Sequence, residues 1–392
     1  LRGAGTHHWQ YRLELRTPLD HRIRVTDPFT GRGREMICFD SNSYLGLHLH
    51  PRVTARVRAA VKEMGYGTPS AQLLGGNNTL LRQLEETLAA WFGREAALVY
   101  STGYQTNIGV LTGLLRPGDL VLYDQYSHMS IQDGCRWSGA RAVPYAHNDL
   151  DDLRQKLVAH RDGARGALIV TDGVFSMHGS IADLPGLRAV ADTFEARLMI
   201  DEAHSLGVLG DSGQGLEEEF GMAGAIDLLM GTFSKAPGAI GGYIAGPAAM
   251  VDYLRFFSHP SVFTASLPAQ ICAGLIEALS VMRSEPWHRE RLWRNARRLW
   301  AGLAEAGYGL RALESPIVAV PVGEESVLAA VGRDLFRAGI KCGVVQYPAV
   351  PRGASMLRLT VCSRHTDADL DRTVEVLAAV GRRHGLLAGE AA

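Results

Sequence analysis

The chain has 392 residues, is 46% hydrophobic and 21% charged, and carries a formal net charge of -1. It is long enough to bury a core split over about two domains, and it lacks the cationic excess that phosphate-backbone binding demands. No apolar run approaches the ~20 residues of a membrane span. The start, Leu1-Arg2-Gly3-Ala4-Gly5, has no apolar leader, so no secretory signal is expected. It also lacks an initiator methionine, which suggests a domain of a longer protein or a processed product. The five cysteines, Cys38, Cys135, Cys272, Cys342 and Cys362, are dispersed with no Cys-x-x-Cys pair. Neither a disulfide framework nor a zinc site is expected, and the implied compartment is reducing cytoplasm. His7-His8 and His48-x-His50 lack the partners of a metal site, so no metal is expected.

Residues 1–60 read as an N-terminal arm that ends in the turn Asp40-Ser41-Asn42-Ser43-Tyr44-Leu45-Gly46, with an amphipathic helix starting near Pro51. A large domain over 61–267 follows, in which strands alternate with helices, the signature of a mostly parallel sheet in an α/β fold. Its strands are expected at Ala97–Ser101, Leu120–Asp124, Ala142–Ala146, Ala167–Thr171, Leu198–Asp201, Leu228–Thr232 and Gly242–Ala245. Helices are expected at Leu150–Ala159 and Leu184–Phe194 among others. A smaller C-terminal α+β domain over 268–392 has longer helices, then strand Ile317–Val320, helix Val327–Ala338, strand Met356–Val361 and helix Asp367–Arg382. One of its helices carries Arg289, Arg291, Arg294, Arg297 and Arg298 opposite an apolar stripe. That face is either a solvated surface or a docking site for an acyl carrier or a CoA phosphate.

Two segments carry the chemistry. Gly231-Thr232-Phe233-Ser234-Lys235 and Asp201-Glu202-Ala203-His204 each follow an apolar run of strand length. Each delivers polar residues to the C-terminal end of a buried strand, where open α/β sheets bind their ligands. Asp-Glu-Ala-His also occurs in NTPases, but those need a Gly-Lys phosphate loop, and this chain has no Gly-Lys dipeptide. A lysine with an aspartate and a histidine fits pyridoxal 5'-phosphate (PLP) chemistry. Lys235 would hold the cofactor as a Schiff base, and Asp201 would pair with its ring nitrogen.

The remaining cofactor contacts follow from chain order. Ser101-Thr102-Gly103-Tyr104 opens a helix whose N–H groups suit a phosphate, with hydroxyl help from Thr232 and Ser234. His128, after the strand Leu120–Asp124, is placed to lie on the ring, although taken alone it reads as a helix N-terminal histidine. His204 and Ser176 are placed to reach the phenolic oxygen.

On these motifs, with Ser41-Asn42-Ser43-Tyr44-Leu45-Gly46-Leu47 and Leu357-Arg358-Leu359-Thr360, the chain resembles the α-oxoamine synthases from Asn42 to Thr366. That family includes 8-amino-7-oxononanoate synthase, serine palmitoyltransferase, 5-aminolevulinate synthase and 2-amino-3-ketobutyrate CoA ligase. The resemblance implies a fold-type I PLP transferase with a seven-stranded sheet and a smaller C-terminal domain. It implies that Arg358, helped by Asn42, binds the amino-acid carboxylate, and that Thr264 reaches the cofactor phosphate of the neighbouring subunit in a homodimer. The reaction implied is decarboxylative condensation of an amino acid, alanine or serine first, with an acyl thioester on CoA or a carrier protein. A glycine-transferring ligase without decarboxylation, a fold-type I aminotransferase and a cofactor-free partner subunit are the other readings. The retained Lys235 argues against the last. Where relatives carry a small residue followed by arginine, this chain has Ala71-Gln72, and Pro237 is unusual beside the lysine.

Overall fold

The computed structural model describes residues 11–387, so His7 and His8 lie outside the described residues. It divides into two units: Leu47–Ser176 with Ser180–Pro286, and the residues up to Gly46 with Met177–Gly179 and those from Trp287 onward.

The larger unit is built on a seven-stranded sheet. Its strands, in spatial order, are Ala96–Tyr100, Gly242–Gly246, Leu228–Thr232, Arg197–Asp201, Ala167–Asp172, Leu120–Asp124 and Arg141–Tyr145. Gly242–Gly246 runs antiparallel to both neighbours, and the other pairings are parallel. Central parallel strands are buried on both faces, which is why they read as unbroken apolar runs. Leu98, Val121, Val170, Met199, Met230 and Ile244 belong to one core cluster, completed by Val110 and Leu111 of the helix Gly103–Leu114. The seven strands expected for this sheet all form, displaced at their ends by no more than one residue. The helix Ala269–Ser284, expected with the C-terminal part, belongs to this unit and packs on the helix Pro51–Met64.

The smaller unit carries a five-stranded sheet in the order Arg22–Thr26, Gly33–Phe39, Ile340–Val345, Ser355–Thr360, Ile317–Gly323. Its first two strands come from the segment read as an arm. Gly33–Phe39 adds in parallel to Ile340–Val345, and Met36 and Cys38 bury against Phe336. The helix Asp367–Arg383 starts at a capping box in which Thr366 and Asp369 exchange backbone bonds. On its outer face Asp367 and Asp371 hold Arg294 and Arg298 at 3.0 and 2.8 Å, so two arginines of the basic helix are already paired.

Ala96–Tyr100 is an edge strand, and side chains satisfy the outward backbone groups of Val99. Gln72 Nε2 donates to the Val99 carbonyl at 2.7 Å, and Val99 N–H donates to Glu85 Oε1 at 3.1 Å. Glu85 is 2% exposed and is held in place by Arg82 and Arg255. Gln72 therefore blunts a sheet edge, a role that needs an amide donor. Replacing Gln72 with leucine leaves the Val99 carbonyl buried and unpaired, at a cost of about 1–3 kcal/mol. The urea unfolding midpoint of Gln72→Leu should fall accordingly. An unchanged midpoint would show that the edge is satisfied another way.

Candidate active site

In the larger unit the C-terminal ends of the parallel strands and the turns after them enclose a cavity of about 290 Å³. Thr102, Gly103, Tyr104, His128, Ser176, Asp201, His204, Thr232, Ser234 and Lys235 line it together, as their positions after successive strands lead one to expect. Thr264, half-buried in the same unit, is not among the lining residues, and neither are Ala71 and Gln72.

One end of the cavity is a helix start. The Thr102 side chain caps the helix Gly103–Leu114 by accepting from Gln105 N–H at 3.1 Å. A Cβ on Gly103 would lie 2.7 Å from Thr232 Cβ and 2.8 Å from Thr232 Oγ1, so only glycine lets the helix sit directly on the lysine strand. Thr232 Oγ1 donates to the Gly241 carbonyl at 2.8 Å and lies 3.0 Å from Ser234 Oγ. Backbone N–H groups, a helix dipole and hydroxyls thus converge at this end, a donor set suited to a phosphate. The Tyr104 phenol is engaged with Asp133, which pushes its pKa up.

The other end is anionic. Asp201 is 4% exposed, and its carboxylate accepts from Asn107 Nδ2 at 2.8 Å and from Ala203 N–H at 2.9 Å. Asn107 Nδ2 also donates to Ser130 Oγ at 2.9 Å, and Ser130 Oγ lies 2.7 Å from His128 Nδ1. A chain of hydrogen bonds therefore runs from Asp201 to the histidine that opens the helix Met129–Trp137. Asn107 Oδ1 is buried without a partner, which leaves an acceptor in the wall of the cavity. Asp172 stands beside Asp201 on the adjacent strand. Asn107, Ser130 and Asp172 are the site residues that the sequence reading missed.

Behind this wall Glu202 is fully buried, accepts from Leu216 N–H, and is pushed up to about 8 by burial. Lys235 sits between the two ends. It leads into a turn closed by Gly238 N–H on the Lys235 carbonyl at 2.9 Å, with Pro237 inside the turn.

A phosphorylated pyridine aldehyde fits this arrangement. It has a cradle that a Cβ would fill at one end, a carboxylate at the other and a lysine between.

In the smaller unit Arg358 lies on the strand Ser355–Thr360, and its Nη2 donates to Asn42 Oδ1 at 3.1 Å. Arg358 is 8% exposed, and burial pushes its pKa down. The turn that carries Asn42 is tied to the residues after this strand, because Ser363 N–H donates to the Tyr44 carbonyl and Ser363 Oγ to that of Leu45.

Residues 34–377 match the family model described as aminotransferase class I and II. The chain is 41% identical over 94% of its length to 4-hydroxy-2,2'-bipyrrole-5-methanol synthase PigH of a Serratia species, and it spans 56% of that protein. It is 38% identical to 8-amino-7-oxononanoate synthase 1 of Bacillus velezensis, covering 95% of this chain and 94% of the relative. Among solved structures, serine palmitoyltransferase from S. paucimobilis with a bound PLP–myriocin aldimine superposes with a TM-score of 0.89 at 33% identity. That match covers 94% of this chain and 91% of the other.

The contact at Gly103 gives a direct test of the phosphate cradle. Gly103→Ala forces the helix start off the lysine strand, and overpacking of this kind costs about 1–3 kcal/mol. PLP affinity, titrated by fluorescence quenching, should weaken about 5–150-fold. Equal affinity would place the phosphate elsewhere.

Proposed function

Because the chain belongs to the class I and II aminotransferase family, in its α-oxoamine synthase branch, we propose that it condenses an amino acid with an acyl thioester, releasing carbon dioxide and the free thiol to leave an α-aminoketone. The observation that carries the reading is the convergence of Lys235, Asp201, His128 and His204 on one cavity with a phosphate cradle. PLP, when bound, supplies an electron sink for the substrate α-carbon.

This chain's residues do the rest. Thr102, Gly103 and Tyr104 at the helix start, with Thr232 and Ser234, anchor the phosphate. Asp201, oriented by Asn107 and Ala203 N–H, keeps a proton on the ring nitrogen. His128 would lie against the ring, and Ser176 and His204 would be the residues to hold the phenolic oxygen. The Lys235 amine holds the cofactor and moves the α-proton.

Arg358 takes the substrate carboxylate through its planar fork, with Asn42 fixing the orientation of that fork. Serine is the first candidate amino acid and alanine the second. The support is the likeness to serine palmitoyltransferase, a protein named for serine.

The active unit in this reading is a homodimer in which Thr264 reaches the neighbouring subunit's cofactor phosphate. Phe263 beside it is 80% exposed, and Phe256 and Phe257 on the same unit are 60% and 56% exposed, an apolar surface of the kind that subunit contacts cover. The acyl donor is a thioester on CoA or on a carrier protein. Arg294 and Arg298 are tied to acidic neighbours, so the basic helix gives the carrier reading little weight.

The function is tested by offering serine, alanine and glycine with acyl-CoA and acyl-carrier thioesters, and following thiol and carbon dioxide together. Equimolar release of both is expected, together with loss of turnover and of the borohydride-reducible visible band in Lys235→Ala. Thiol without carbon dioxide would indicate the ligase reaction, and a free 2-oxo acid would indicate transamination.

Arg358→Ala removes a charge-assisted hydrogen-bonding partner worth about 1.5–3 kcal/mol. Amino-acid binding to the loaded enzyme should weaken about 10–150-fold with PLP content unchanged. An unaltered binding curve would remove Arg358 from the site.

A further inference from the structure

Asp172 ends the strand Ala167–Asp172 and is in register with Asp201 on the adjacent parallel strand. Paired residues of a parallel ladder point to the same face of the sheet, and both aspartates line the same cavity. Both are 4% exposed. Their hydrogen-bond environments differ. Asp201 accepts from two donors on separate oxygens, Asn107 Nδ2 at 2.8 Å and Ala203 N–H at 2.9 Å. Asp172 has the single His128 N–H, shared between its oxygens at 3.3 and 3.2 Å. Two desolvated carboxylates side by side cannot both keep a full charge, and the one with more donors keeps it.

We propose that Asp172 carries a proton beside Asp201, so that the pair presents a single negative charge to the ring-nitrogen end of the cavity. Asp172 is then a positioning residue, which holds the His128 segment through its backbone N–H and spares Asp201 a second charge. One negative charge matches one protonated ring nitrogen. Two would leave an uncompensated charge in a buried site.

The surroundings agree with this assignment. Burial first, and then Asp201, push the Asp172 carboxyl well above the ordinary range, and Asp124 acts in the same direction. The His128 N–H and the Lys235 ammonium oppose the shift. Tyr145 lies near Asp124 and Asp172, and its own pKa is raised chiefly by burial. Asp124 has donors of its own, from Tyr126 N–H, Asn148 N–H and His147 Nδ1.

The inference rests on Asp201 as the ring-nitrogen partner, but its test is read without cofactor and so fails separately from that reading. In the full chain stripped of PLP, the infrared difference at pH 7 between parent and Asp172→Asn should show a protonated carboxylic-acid band in the parent that the variant lacks. Glu202, also pushed up by burial, cancels in this difference. In a Glu202→Gln background the parental band should persist, which keeps the test open even if Asp172→Asn folds poorly.

A group whose folded pKa is raised contributes stability that is fully present below its unfolded value of about 3.9 and is lost as pH rises toward the folded value. The unfolding midpoint of Asp172→Asn should therefore rise relative to the parent as pH goes from about 4 to 8. Absence of the acid band, or a midpoint difference that stays flat with pH, would overturn the assignment.

Discussion

The larger unit depends on burying charge at the ends of parallel strands. Adjacent strands deliver Asp172 and Asp201 to one face of one sheet, in register and shielded from water. Asn107, 1% exposed, divides its amide between Asp201 and Ser130. Ser130 reaches on to His128, and the backbone of His128 turns back to Asp172. The result is a chain of polar groups running from Asp201 through Asn107, Ser130 and His128 to Asp172. Such chains are costly when half satisfied and rigid when complete. An anionic end that is fixed before the cofactor arrives needs no reorganisation to meet a protonated ring.

The opposite end is governed by steric contact. Gly103 and Gly242 let the helix start, the lysine strand and the antiparallel strand meet closely, since a Cβ on Gly242 would lie 2.7 Å from Gly103 Cα. The helix start is therefore held directly against the sheet. Its edge strand is closed by Gln72 and Glu85. Gln72, which stands where relatives carry arginine, serves the sheet edge within this unit.

Residues whose chemistry coincides with a strand end were legible in the sequence. Lys235, Asp201, Thr232 and Thr102 each follow an apolar run, and the sheet brings such positions together whatever the loop lengths between them. Asn107 was hidden because it lies inside a helix, where its sequence neighbours give no sign of the strand it faces. The available signal was an asparagine, a poor helix former, in a mostly apolar helix. Asp172 carried the same strand-end signal as Asp201 and was passed over for want of a second motif beside it. The strands Arg22–Thr26 and Gly33–Phe39 were read as an arm because Ile340–Val345, on which Gly33–Phe39 forms, lies some three hundred residues further on. The alternation of Ile23 and Val25 with arginines was the local sign of a half-buried strand.

Between the two ends, the lysine segment is fixed by its backbone. Phe233 N–H bonds to the Gly241 carbonyl at 3.0 Å, and Ala239 N–H returns to the Phe233 carbonyl at 2.8 Å. Gly238, at φ +78°, closes the turn where a Cβ would lie 2.8 Å from the His48 N atom. Pro237 in this turn lowers the entropy of the unfolded chain without surrendering a donor that the turn uses. The unusual proline beside the lysine therefore stiffens the base of the site. The mobility that the proposed chemistry asks of Lys235, which must hold the cofactor, release it and carry a proton, is left to the side chain's own four-carbon stem.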